Sequence, residues 1–518
     1  MLHKRSIIRK TIEVGGFTLL SRLLGIVREF LQVRYIGAEA LSDAFLTAYS
    51  LPNSLRKIFA EGALSVAFIP TFVRLVRQDK RDELDSLMSL AFIIFEGIVL
   101  FLCILAMIYA HTLIYFMVPG FSPELINRAV PLLRILMPFI FFLSSSSLLA
   151  GALQAINHFF VPAFSSVLLN VVYIVGLLIC LFNQLPVEYL CFAILCGGVF
   201  QFLLHLYAYY TFHFSFGSIQ EQTWFYLWPI ITKFSCCLVA MSVMEINLFI
   251  DKMFASYLPS GSITLIYYAN RFLGIPMGVF AVAFSTILLP HFSRVSEYAP
   301  KRLSFYLLES VKLIFWVTIP ATIAMIFFAE KIFHTIFLSK KFSMLQVFEA
   351  RNILIAFVIG LFFLACNRIL LNLYYAMHIT WLPAIISIIG AVLNIGLNFF
   401  LVYRFQAVGL ALGTTLSGIV QTAFFVVGLC WRFDLRLYGY QFMLFVKCYL
   451  VQLAAILMPF FLIYYLMTWF IEKLPTALVY FFLYSIGFWL WVGPLCLAVF
   501  GAILITRKWF NVRLYFID

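Results

Sequence analysis

Between residues 12 and 505 the sequence is a succession of apolar runs, each long enough to cross a bilayer. Runs of ~20 residues fall near 12–33, 44–73, 87–110, 130–153, 159–182, 188–212, 227–250, 263–289, 306–329, 347–376, 381–402, 407–430, 442–470 and 478–505. Inside hydrocarbon every backbone N–H and C=O must be satisfied within the chain, so only helices or closed barrels can span. A barrel needs short strands of alternating polarity, and none are visible. The expectation is an all-α polytopic membrane protein with about fourteen transmembrane helices. Composition agrees: charged residues are 11% of the 518-residue chain, against about 25% in soluble domains.

An even number of spans puts both termini on one side. Lys4, Arg5, Arg9 and Lys10 open the chain; Arg74, Arg77, Lys80 and Arg81 follow the second run. Arg294, Lys301 and Arg302 follow the eighth, Arg432 and Arg436 the twelfth, and Arg507, Lys508 and Arg513 close the chain. All fall on one face, which the positive-inside rule makes cytoplasmic; Lys331, Lys340 and Lys341 dissent as a minority. A net charge of +13 raises nucleic-acid binding. The chain holds no basic domain to lie on a polynucleotide, however, and an anionic membrane surface with an anionic substrate explains the charge. The ten cysteines lie almost all inside apolar runs with no CxxC spacing, as core hydrophobes rather than disulfides or metal ligands. Glu13, Arg22 and Arg28 interrupt the first apolar run, so a cleaved signal peptide is not expected.

An internal repeat divides the chain. Ile69-Pro70-Thr71-Phe72-Val73-Arg74 recurs as Leu289-Pro290-His291-Phe292-Ser293-Arg294. Ala155-Ile156-Asn157-His158 with Pro162-Ala163 recurs as Ala376-Met377-His378-Ile379 with Pro383-Ala384. Both pairs are offset by about 220 residues, which marks a structural repeat. Six helices per half insert in the same orientation and imply a parallel pseudo-twofold repeat, the arrangement of transporters that rock two lobes about a central site. The expected domains are a six-helix lobe at 1–222, a second at 223–436, and two additional helices at 437–518.

The stretch Ser21 to Arg74 carries the candidate chemistry. At about 100° per residue, Ser21, Arg22, Gly25, Arg28, Glu29 and Gln32 share a stripe roughly 120° wide on the first helix. On the second, Asn53, Lys57, Glu61 and Ser65 step along one face at i, i+4 spacing with Arg56 beside them. Each mid-helix charge costs about 2.5–3.5 kcal/mol to insert, so four such cations cost on the order of 10 kcal/mol. They should line a wet cavity that takes an anion. Arg271, in Tyr267-Tyr268-Ala269-Asn270-Arg271-Phe272, faces the same cost in the second half. Guanidinium groups stay charged and match phosphate oxygens in a bidentate fork, so four of them suit a diphosphate. The competing reading pairs Arg22, Arg28 and Arg56 with Glu29, Asp43 and Glu61 simply to hold helices together.

A second polar set comprises Asp251, Asn394 and Asn398 at i, i+4, and Thr414. One carboxylate with amide and hydroxyl oxygens is ligand chemistry for a hard cation such as Na⁺; interhelical hydrogen bonding, with Asp251 paired to Lys252, is the alternative. Glu245 and Asn247 are further candidates there. Glu96, Arg134, Lys233, Glu309, Lys312, Arg351 and Arg368 also lie near or within apolar runs, where those at helix ends snorkel. His158, His205 and His378 read as structural, and Ser144 to Ser147 as close helix packing. No nucleophile elbow, P-loop or metal-binding Cys/His spacing occurs, which argues against an enzyme.

The run Ser21-Arg22-Leu23-Leu24-Gly25 with Arg28, then Asp43-Ala44-Phe45, Pro52-Asn53 with Leu55-Arg56, and Phe59-Ala60-Glu61-Gly62-Ala63 with Ala67-Phe68-Ile69-Pro70 closely resembles the MurJ/MviN lipid II flippase family. So does Phe254-Ala255-Ser256 followed by Gly261-Ser262 and Tyr267-Tyr268-Ala269-Asn270-Arg271. The resemblance covers essentially the whole chain. It implies the fold of the multidrug/oligosaccharidyl-lipid/polysaccharide exporter superfamily, a bacterial cytoplasmic membrane, and outward movement of undecaprenyl-diphosphate-linked peptidoglycan precursor by a single copy of the chain. It further implies Arg22, Arg28, Arg56 and Arg271 as the family's cavity arginines, with Asp43 and Glu61 as its acidic positions. With the residues' own pattern this makes those arginines and Asn53 the expected substrate-binding set, and Asp43, Glu61, Glu29 and Lys57 the expected gating or ion-pair set. Asp251, Asn394, Asn398 and Thr414 resemble the Na⁺ site of part of the family. The chain departs where some members carry acidic residues, having Asn270 and Gly274 there, which leaves Arg271 fewer local counter-charges. Rival expectations are a flippase for another polyprenyl-diphosphate glycan and a cation-coupled multidrug exporter of the same fold, in whose cavity acidic groups should dominate.

Overall fold

The computed structural model describes residues 4–57, 59, 64–278, 284, 288, 292, 295, 302–377, 379, 381–433 and 438–516. Among these the secondary structure is helical, apart from one isolated bridge between Ser339 and Phe342. The chain packs as two units, Met1–Thr264 and Leu265–Asp518.

The first unit contains α1 (Lys4–Ile36), α2 (Ala40–Arg56), α3 (Leu64–Arg77), α4 (Arg81–Ala91), α5 (Gly97–Ile108), α6 (Ala110–Met117), α7 (Pro123–Leu136), α8 (Pro138–Ala155), α9 (Phe160–Phe182), α10 (Val187–Thr211) and α11 (Thr223–Ala255). A π-helical turn, Phe92–Glu96, joins α4 to α5. Helix α9 lies between α1 and α10. Its approach to α10 depends on small residues, as expected where close van der Waals packing replaces a hydrophobic driving force. A Cβ on Gly176 would sit 2.3 Å from Ala193 Cβ. Helix α11 packs on α3, α4 and α6 within this unit, whereas the sequence repeat assigns it to the head of the second half.

Helix α12 (Ser262–Pro276) begins in the first unit and enters the second at Leu265. The second unit continues through α13 (Leu303–Phe337), α14 (Met344–Val358), α15 (Leu361–Ala376), α16 (Trp381–Phe433), α17 (Gly439–Glu472), α18 (Thr476–Tyr484) and α19 (Phe488–Thr506). One core joins α13, α15 and α16 through Ile314, Ile369, Tyr374 and Phe425, and the Tyr374 hydroxyl donates to Phe425 O at 2.8 Å. A second core seats α17 and α19 on α13 through Trp316, Phe445, Tyr449 and Ile503. Gln452, buried there, donates its Nε2 to Ile503 O at 2.8 Å and to Thr506 Oγ1 at 2.9 Å.

Among the described residues eight helical stretches are long and apolar enough to span a membrane, counting α4 through α5, α7 with α8, and α16 each as one, or nine if the pair α14 and α15, bent by 42°, is one span. Several runs that the sequence presents as single spans are interrupted for local reasons. Proline at 138 ends α7 and starts α8, since its ring and missing N–H cannot continue the ladder. Gln406, at φ 50 and ψ −129, breaks α16 into two spans. The Ala155 and Ala376 copies of the repeat each close a helix, and Pro162 and Pro383 each stand third in the helix that follows. The 289–294 copy lies largely outside the described residues.

The π turn has a chemical purpose visible in its last residue. Glu96, 2% exposed, accepts from Ser144 Oγ at 2.7 Å and Ser145 Oγ at 3.0 Å, the latter on its second oxygen. The serines therefore satisfy a buried carboxyl rather than only thinning the helix interface. Stripping both donors in a Ser144→Ala/Ser145→Ala variant should cost about 1–3 kcal/mol, read as a lower Tm in detergent. An unchanged Tm would contradict this role.

Candidate substrate site

The polar stripe of α1 forms a seam against α9. Arg28 Nη1 donates to Asn170 Oδ1 at 3.1 Å, Nη2 lies 3.5 Å from Glu29 Oε1, and the guanidinium sits 5.0 Å from the Tyr173 ring centroid. Tyr173 in turn donates its hydroxyl to Gln32 Oε1 at 3.0 Å, and Asn170 Nδ2 donates to Ser21 Oγ and to Ser166 O, both at 3.0 Å. Glu29 and Gln32 are buried. Arg28, partly buried, is thus bonded into this seam. Arg22 differs. It is exposed and forms no hydrogen bond or ion pair among the described residues, with Leu19, Leu23 and Ile26 exposed around it.

On α2, Arg56 turns back on its own helix, donating from Nε and Nη2 to Asn53 Oδ1 at 3.2 and 3.0 Å. Lys57 reaches across to α11, with Nζ 3.0 Å from Glu245 Oε1 and 3.4 Å from Oε2. Ser54 Oγ donates to Glu245 Oε2 at 2.5 Å. Asp43 takes its partners from the start of α12 rather than from a guanidinium. Gly261 N donates to Oδ2 at 2.6 Å, and Thr264 N and Oγ1 donate to Oδ1 at 2.9 and 2.6 Å. A carboxylate on the orphan N–H groups of a first turn is favoured by both hydrogen bonding and the helix dipole. Glu61 lies outside the described residues.

In the second unit Arg271 is exposed on α12, next to exposed Asn270, while Tyr268 and Ala269 are buried. The break at Gln406 folds α16 back so that its two arms share a polar cluster. Asn398 Nδ2 donates to Asn394 Oδ1 at 3.1 Å, and Asn394 Nδ2 to Thr414 Oγ1 at 3.4 Å. A Cβ at Gly413 would lie 2.3 Å from Asn398 Oδ1, so a side chain there would displace that amide. Three of the four predicted cation ligands therefore adjoin, and their neutral oxygens suit a hard cation. The fourth, Asp251, stands near the end of α11 in the first unit, half-buried.

Sequence reasoning did not find the partners: Asn170 and Tyr173 for Arg28, and Glu245 as the anchor of Ser54 and Lys57. The signal for the first pair was present, since Ser166, Asn170 and Tyr173 fall at i, i+4, i+7 on one face of an otherwise apolar run.

A family model described as lipid II flippase MurJ matches residues 32–489. A probable lipid II flippase MurJ of Haemophilus influenzae is 32% identical over 511 residues, covering 94% of this chain and 97% of its own. One from Buchnera aphidicola is 28% identical over 474 residues, covering 90% and 92%. Among solved structures, a lipid II flippase MurJ in an inward closed conformation superposes with a TM-score of 0.76 at 24% identity, covering 96% of this chain and 99% of that one. An inward-facing multidrug resistance MATE family transporter of the MOP superfamily gives 0.70 at 15% identity, covering 80% and 94%. These two likenesses concern the fold.

The contrast between Arg28 and Arg22 sets opposite stability outcomes. Asn170→Leu removes the acceptor for Arg28 and the donor to Ser21 together, and should destabilise by about 1–3 kcal/mol. Arg22→Gln should stay within about 0.5 kcal/mol of the parent. Thermal unfolding in detergent reads both, and the reverse order would contradict the assignment.

Proposed function

The chain belongs to the MurJ family of lipid II flippases, and on that premise we propose how its residues move the lipid. It is a transporter rather than an enzyme, a multi-pass protein of the bacterial inner membrane that moves lipid II. The observation that carries the reading is Arg22, a permanently charged group placed exposed and without a partner among the described residues, in mid-run of an apolar helix. Facing lipid, it would cost several kcal/mol; facing a wet cavity it is stable and available to an anion. Arg22 and Arg271, with Arg28, Arg56 and Asn53, bind the diphosphate of the undecaprenyl-linked disaccharide-peptide. Asp43, Glu29, Lys57 and Glu61 exchange partners as access alternates.

The protein shields only the polar head, because the tail already dissolves in lipid. Within the second unit an apolar cavity of about 170 Å³ opens between α13, α17 and α19, lined by Phe327, Phe328, Phe460, Phe461, Val499 and Phe500 among others. An isoprenoid chain is the matching occupant, and the two additional helices at 437–518 supply much of its wall. The two six-helix lobes, 1–222 and 223–436, alternate around the head, and both termini face the cytoplasm. One copy of the chain suffices. Direction comes from outside the binding step: either Na⁺ held by Asp251, Asn394, Asn398 and Thr414, or the membrane potential, worth about 2.3 kcal/mol per charge per 100 mV. A multidrug exporter of this fold is disfavoured by sign, since the exposed groups Arg22 and Arg271 repel cationic drugs.

In cells depleted of the native copy, the outer-face accessibility of labelled lipid II measures transport directly. Arg22→Gln and Arg271→Gln should each lower it at least about tenfold, the loss of one charge-assisted phosphate contact, with Arg→Lys intermediate. Normal exposure after depletion would remove the assignment. Asp251→Asn should abolish any Na⁺ dependence of the rate in vesicles, and an unaltered Na⁺ dependence would dismiss the cation site.

A further inference from the structure

The pairing of Lys57 with Glu245 has features that a purely structural ion pair lacks. Glu245 is 8% exposed and belongs to α11, and both of its oxygens are engaged on the α2 side, by Lys57 Nζ and by Ser54 Oγ. Lys57 is less enclosed, with its side chain 39% exposed against 11% for Glu245. The carboxylate is therefore fixed while the ammonium has an open side. Lys252, seven residues on from Glu245, lies on the same face of α11 two turns along. One carboxylate thus holds an ammonium group and a hydroxyl, with Arg56 next to Lys57 in sequence and Lys252 on the same face of α11. The surroundings hold more positive than negative charge, and the donors around the carboxylate are those that a phosphate would use.

We propose that Glu245 is a built-in stand-in for the substrate's phosphate: it holds Lys57 while the site is empty and yields it when a diphosphate arrives. This rests on the lipid II reading of the site. The exchange swaps one anion for another at Lys57, so no ammonium is left uncompensated in the membrane at any stage. It also releases the link between α2 and α11, which ties occupancy to the freedom of these two helices. Glu245 is a positioning residue that acts through Lys57. Its presence keeps affinity for the diphosphate moderate, so that the lipid can leave on the other side.

The test is a double-mutant cycle on the full-length protein in nanodiscs, with undecaprenyl diphosphate as the probe and Kd as the readout. Glu245→Gln should tighten binding about tenfold, equivalent to 1.4 kcal/mol, while slowing transport of lipid II. The same change should do nothing in a Lys57→Gln background, and Glu245→Asp should restore wild-type affinity. Ser54→Ala, which loosens the carboxylate without removing it, should tighten binding in the same direction and substitutes for Glu245→Gln if that variant fails to fold. Unchanged or weaker binding, or an effect that persists without Lys57, overturns the proposal. A wild-type protein that does not bind the probe at all would instead overturn the lipid II reading on which the proposal rests.

Discussion

Placing a fixed charge at membrane depth is expensive, and the arrangement of this protein follows from where each charge finds relief. Arg28 gains it from Asn170, Glu29 and the face of Tyr173. Lys57 gains it from Glu245, and Arg56 bonds Asn53 on its own helix. Asp43 rests on the N–H groups of a helix start. Arg22 is the remainder, exposed and unbonded among the described residues.

The same constraint acts on the backbone. Breaks within spans are tolerated only where side chains or turns satisfy the freed groups. The break at Gln406 lies beside the Asn394, Asn398 and Thr414 cluster, whose amides and hydroxyl bond one another. The π turn at Phe92–Glu96 sets a carboxyl against two serine hydroxyls. These two irregularities in the helices are thus each accompanied by a local polar set.

Much of this was legible in the sequence. Apolar run length gave the fold class, because hydrocarbon leaves so few alternatives; the expected run 159–182 is α9 within a residue at either end. The α1 stripe was also legible, since helical periodicity alone puts Arg28, Glu29 and Gln32 on one face. What periodicity cannot give is the partner across the interface. Whether Arg28 is bonded and Arg22 bare depends on α9, some 140 residues away in the chain. Asp43 shows the same limit: its charge suggested a guanidinium partner, while packing gave it backbone N–H groups over two hundred residues further on. Interruptions such as that between α14 and α15 also escaped, because hydropathy does not register a 42° bend in a continuous apolar run.

The central claim is that Arg22 and Arg271 each stand exposed to water and are there to meet the diphosphate of the lipid. Single cysteines at positions 22 and 271, probed with a membrane-impermeant thiol reagent, test it most directly. The account requires both to be labelled from water and both to be protected by undecaprenyl diphosphate. Labelling only by lipid-soluble reagents, or protection of one position without the other, would contradict it.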